Sequence, residues 1–91
     1  GGMVFKVKLA YARNLLFDPN AHILTELVTK CKFEIAIGVN GKIWLKTDDI
    51  LSTIACGRCI EKSQQWSDAD IKANVEDAFA AMKKSKDEGD N

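Results

Sequence analysis

The spacing of apolar side chains along this chain switches between a period of two and one of about 3.6, and each switch marks an element. Phe5, Val7 and Leu9 alternate with Lys6 and Lys8, which predicts a short amphipathic strand. Ala10 to Leu16 reads as a short helix carrying Tyr11, Leu15 and Leu16. Asp18-Pro19 ends it, because proline disfavours helical backbone in the residue before it. The same pair suits the N-cap and first turn of a second helix. That helix presents Ile23, Leu24, Leu27, Val28 and Cys31 on one face, with Lys30 and Lys32 at the negative pole of its dipole.

A period of two returns from Phe33 to Lys46. Phe33, Ile35 and Ile37 alternate with Glu34 and Ala36; beyond Asn40-Gly41, Ile43 and Leu45 alternate with Lys42, Trp44 and Lys46. Asn-Gly between two such runs predicts a hairpin with a two-residue turn and positive φ at both residues. A third helix follows, capped by Thr47 or Asp48 and carrying Ile50, Leu51, Ile54 and Ala55. Gly57 inside it costs about 1 kcal/mol relative to alanine unless another backbone passes close by. Ser67-Asp68-Ala69-Asp70 opens a fourth helix in capping-box style, with Ile71, Val75, Ala78, Phe79 and Met82 as its buried stripe. Lys83, Lys84 and Lys86 close it. The order β-α-α-β-β-α-α predicts an α+β domain, a three-stranded sheet backed by helices. The domain is expected over 4–86, with 1–3 a linker or cloning scar and 87–91 a disordered tail.

Ninety-one residues allow one small domain, and 46% hydrophobic residues are enough for a core. Thirteen basic and thirteen acidic side chains cancel. A free-standing nucleic-acid binder is more often clearly basic, so charge alone gives no reason to expect strong non-specific affinity. No apolar run is long enough to span a membrane, and the start shows no signal-peptide pattern. Three cysteines fit a reducing compartment better than a disulfide scaffold.

Strand, short helix, sharp turn, helix, hairpin, helix is the plan of a eukaryotic type I KH domain. Gly38-Val39-Asn40-Gly41 followed by Ile43-Trp44 resembles the GxNG signature and trailing Ile-Trp pair of one family in particular: the RNA exosome cap subunits of the ribosomal RNA-processing protein 40 (exosome component 3) type. Phe5-Lys6-Val7-Lys8-Leu9 through Arg13-Asn14-Leu15-Leu16 is also similar to that family's first strand and helix. The resemblance covers Val4 to about Lys46; the C-terminal helices match in pattern only. It implies a non-catalytic subunit in rRNA processing and RNA degradation, located in nucleus, nucleolus and cytoplasm. Its partners would be RNase PH-like ring subunits and the protein's own OB-type barrel, with RNA bound weakly or indirectly. The barrel and a further N-terminal domain would lie upstream of this chain.

An ordinary KH domain holds the nucleic-acid backbone with a GxxG loop between its first two helices. Here that position is Phe17-Asp18-Pro19-Asn20. Proline has no N–H to offer, Phe17 blocks close approach and Asp18 repels phosphate. The loop argues against an independent KH module binding single-stranded RNA. With the clamp degenerate, the GxNG turn reads as a docking element.

The remaining chemistry is weighed against packing. Cys56-Gly57-Arg58-Cys59 mimics a dithiol redox motif, but such a pair opens a helix after a strand, whereas this one lies inside a helical pattern. Packing is preferred to a small CxxC redox protein. A zinc site from Cys31, Cys56, Cys59 and His22 has only one close ligand pair, so neither metal nor cofactor is expected. Lys42, Trp44 and Lys46 share one strand face, with Lys30 and Lys32 potential neighbours. That face could stack a base, though docking on the barrel or a neighbouring subunit is preferred. Asp48-Asp49 and Asp68-Asp70 read as helix N-terminal charges. With one histidine and no assembled triad, no catalytic constellation emerges, so an enzyme is not expected.

Overall fold

The computed structural model describes residues 2–89, with side chains through Ser85. Its elements are β1 (Met3–Lys6), α1 (Leu9–Phe17), α2 (His22–Val28), β2 (Phe33–Ile37), β3 (Lys42–Thr47), α3 (Ile50–Ser63) and α4 (Asp68–Gly89). The predicted order of seven elements is the one observed. All pairing is antiparallel, in the order β1-β3-β2, so the last strand in sequence is the middle of the sheet.

Alternation in β3 decides which side the helices occupy. Ile43 and Leu45 are fully buried and face the helical layer, while Lys42, Trp44 and Lys46 face away from it. Helix α3 lies across β1 and β3, and α4 packs on α3 and α2. Ile23 and Leu27 from α2, Cys56 and Ile60 from α3 and Val75 from α4 complete the interior. Gly57 sits where α3 crosses β1. A Cβ added there would fall inside the Phe5 ring, so an aromatic ring, rather than a passing backbone, requires this glycine.

Several boundaries differ from the predicted ones, each for a local reason. Strand β1 begins at Met3, inside the expected linker, because Met3 pairs with Leu45; Gly1 lies outside the described residues. The strand stops at Lys6, and Leu9 already begins α1. Asp18 does not cap α2. Its Oδ1 accepts the Asn20 N–H (3.2 Å) and its carbonyl accepts the Ala21 N–H (3.1 Å), so the chain closes a turn first and α2 starts at His22. Helix α2 then ends at Val28, leaving Lys30 and Lys32 beyond its last turn and Val28 itself 66% exposed.

Asp49, not Thr47 or Asp48, caps α3: its Oδ1 accepts the Ser52 N–H at 2.9 Å. Thr47 takes a supporting part. Its hydroxyl donates to the Asp49 carbonyl (2.6 Å), and its N–H donates to Thr53 Oγ1 (3.2 Å), which ties the end of β3 to the start of α3. At α4, the Ser67 hydroxyl donates to Asp70 Oδ2 at 2.9 Å. This helix runs through Gly89, so residues 87–89 are helical instead of a tail; the last two residues lie outside the described ones.

Gly57→Ala provides a direct test of the α3–β1 contact. Helix propensity alone would favour alanine by about 1 kcal/mol. The Phe5 ring reverses the sign, and the variant is expected to lose about 1–3 kcal/mol in urea denaturation.

Candidate functional site

The hairpin turn closes with a three-residue loop, not the two-residue turn that Asn-Gly predicts. The Gly38 N–H donates to the Lys42 carbonyl (2.9 Å) and the Gly41 N–H to the Gly38 carbonyl (3.1 Å). Gly41 alone has positive φ, at 85°; Asn40 stays on the negative side. Its side chain acts instead as a brace, with Oδ1 accepting the Lys42 N–H at 3.1 Å. This is the turn-plus-left-handed-glycine geometry of a bulged hairpin. Both glycines are closely packed, Gly41 against backbone and Gly38 against the end of the Asn40 side chain. A Cβ on Gly38 would lie 2.6 Å from Asn40 Oδ1, and one on Gly41 2.5 Å from the Val7 carbonyl oxygen.

The turn is also bound from outside. The Val7 N–H donates to the Gly41 carbonyl at 2.9 Å, fastening the hairpin tip to the segment between β1 and α1. The N–H groups of Gly38, Gly41 and Lys42 are thus already donated within the hairpin. A phosphate clamp needs such groups pointing outward. What the turn presents to solvent is Val39, 60% exposed, together with Asn40.

On the sheet face opposite the helices, Trp44 of β3 lies between Val4 of β1 and Ala36 of β2. Val4 is 59% and Trp44 36% exposed, giving the face an apolar centre. Lys42 stands opposite Lys6 toward the turn, and Lys46 opposite Glu34 at the other end. Lys30 does not join them: its Nζ stands 4.0 Å from Glu76 on α4, in the helical layer.

Phe17 at the end of α1 and Asp18, Pro19 and Asn20 after it are all exposed, with Phe17 at 80%. Beside this loop runs a groove of about 320 Å³ between the two helices and β2. Its lining, from Leu16, Pro19 and Val28 to Phe33, Ile35 and Ile37, is entirely apolar and carries no cation for a phosphate. The groove leaves no mark in the periodicity of the sequence, because its walls come from separate elements.

Residues 2–57 match the family profile described as KH domain. The chain belongs to the KH domain family. Among relatives, it is 45% identical over 67 residues to the exosome complex component RRP40 of Saccharomyces cerevisiae, covering 74% of this chain and 28% of that protein. The Drosophila melanogaster protein of the same name is 39% identical over 70 residues, covering 77% and 30%. The Homo sapiens one is 37% identical over 66 residues, covering 72% and 24%. The chain thus spans less than a third of the length of these relatives.

The matched part of this KH domain holds the turn, the α1–α2 loop, the groove, Cys31 and Cys56; Cys59 and α4 lie beyond it. Cys56 and Cys59 are buried inside α3 rather than at its start. Desolvation pushes the Cys59 thiol up to about 11, with nearby Lys62 working the other way; it pushes Cys56 further still, aided by Cys31. His22 is exposed in the first turn of α2, with Nδ1 3.8 Å from Asp68 Oδ2 at the start of α4. Among the described residues, no group of three or more His, Cys, Asp or Glu side chains is placed to hold a metal ion.

Two outcomes test this geometry in the KH domain. Gly41→Ala must place a side chain at φ 85° against the Val7 carbonyl, and is expected to lower unfolding free energy by about 1–3 kcal/mol in a urea titration. Thiols held protonated react slowly, so Cys56 and Cys59 are expected to resist iodoacetamide near neutral pH until the chain is unfolded. The same upward shift favours the folded state below the thiol's ordinary 9.0. That contribution should fade as pH climbs from there toward 11, lowering the urea midpoint over that window.

Proposed function

We propose that this chain is the KH domain of a non-catalytic cap subunit of the RNA exosome, acting through architecture. The observation that carries the reading is the GxNG turn, in which the Gly38 and Gly41 N–H groups are spent inside the hairpin and Gly41 is held against the Val7 carbonyl. Such a turn is built for tight packing. The names of the relatives supply the assembly. The groove and its loop, without cation or glycine clamp, support a weak or indirect part for RNA.

In the full-length protein, the apolar centre around Trp44 docks on the protein's own OB-type barrel or on an RNase PH-like ring subunit. The greater length of the relatives leaves room for such a barrel and a further N-terminal domain. In the nucleus, nucleolus and cytoplasm, the assembled cap feeds RNA to a 3′→5′ exoribonuclease for processing and degradation.

Co-purification of the full-length protein tests this reading, with Trp44→Ala as the variant. The parent is expected to bring down RNase PH-like ring subunits. The variant should recover them at several-fold lower yield while its KH domain keeps a wild-type circular dichroism spectrum. Failure of the parent to recover any ring subunit would sink the assignment. So would saturable low-micromolar binding of labelled single-stranded RNA by the 91-residue chain that is lost in Trp44→Ala.

A further inference from the structure

The CxxC spacing draws attention to Cys56 and Cys59, yet the fold brings a different pair together. Cys31, just past the end of α2, has its Sγ 3.2 Å from Cys56 Sγ on α3. All three cysteines are free thiols. A disulfide bond is about 2.0 Å long, so roughly 1.2 Å of approach separates the two sulfurs from bonding. Their accessibility differs in a useful way: Cys31 is half-buried, whereas Cys56 is closed off from solvent. An oxidant can reach the first sulfur, and the second waits directly behind it.

We propose that Cys31 and Cys56 form an oxidative cross-linking site, which a small hydroperoxide converts to an intrachain disulfide. Cys31 Sγ attacks the peroxide, taking one oxygen as a sulfenic acid while the other leaves as water. Cys56 Sγ then attacks the Cys31 sulfur. The S–S bond forms as the S–O bond breaks, and the departing hydroxide carries off the Cys56 thiol proton as a second water. Two thiols are oxidised and one hydrogen peroxide is reduced to two waters. The product staples the end of α2 to α3 across the whole hairpin, which lies between the two cysteines in sequence. Cys59, one turn further along α3 and 1% exposed, takes no part.

The test is to treat the folded 91-residue chain with a small excess of hydrogen peroxide, block free thiols after unfolding, and map the peptides by mass spectrometry. The expected result is a Cys31–Cys56 peptide lacking the two thiol hydrogens, with Cys59 blocked as a free thiol and dithiothreitol restoring the parent mass. Cys59→Ala should leave the cross-link intact, and Cys31→Ser should abolish it. Because the map of the unmutated chain already decides the pairing, poor folding of either variant does not rescue the idea. Three results overturn it: a Cys56–Cys59 link, a link between two chains, or Cys31 driven to sulfinic or sulfonic acid while Cys56 remains a thiol.

Discussion

Strand β3 is paired on both sides, so sliding it by one residue would break two ladders and turn Ile43 and Leu45 out into water together. Its register is pinned at both ends. At one end the three-residue loop closes on Gly41, whose left-handed backbone no larger residue adopts cheaply. At the other, Thr47 is locked to Asp49 and Thr53 at the start of α3. Between these pins, alternation alone assigns Ile43 and Leu45 to the core and Lys42, Trp44 and Lys46 to the open face. Helix α3 can settle on the sheet only because that assignment is fixed.

From this register comes a division of surfaces. The helical side is closed, and its crossing point at Gly57 and Phe5 leaves no room for a methyl group. The open side keeps an apolar centre with charges toward its ends. The apolar groove beside β2 is a third surface, lined by Pro19 from the loop position with which a type I KH domain would hold a nucleic-acid backbone; that loop also carries Asp18 and the exposed Phe17. The chemistry of phosphate recognition is missing from the loop while the chemistry of close packing is concentrated in the turn. The two glycines of the GxNG motif belong to the second kind.

Much of this could be read from residue spacing. The seven elements and the buried faces of β3 and α4 follow from local periodicity and from what proline and glycine permit; the expectation of a degenerate loop comes from the KH resemblance, which says where a clamp would sit. What stayed hidden depends on contacts distant in sequence. Asn-Gly suits both a two-residue and a three-residue loop, and the three-residue form seen here goes with Val7 reaching the Gly41 carbonyl from a distant segment. Asp18 had two ways to use its carboxylate, and closing its own turn prevailed over capping. Gly57 looked like a weak point in a helix until Phe5 supplied the reason for it. The cysteine pairing was the least legible of all, since it joins the end of one helix to the middle of another.

The edge position of β1 has a consequence for how the sheet is assembled and held. The β2–β3 hairpin closes through three residues, whereas β1 reaches β3 only after α1, α2 and β2 have intervened. Loop-closure entropy therefore weighs far more heavily on β1 than on the hairpin. Four residues of ladder are a modest return for that ordering. The deficit is met by Phe5, whose ring is trapped under α3 against the bare backbone of Gly57. An absent methyl group on one element is thus what keeps the most distant strand from peeling away.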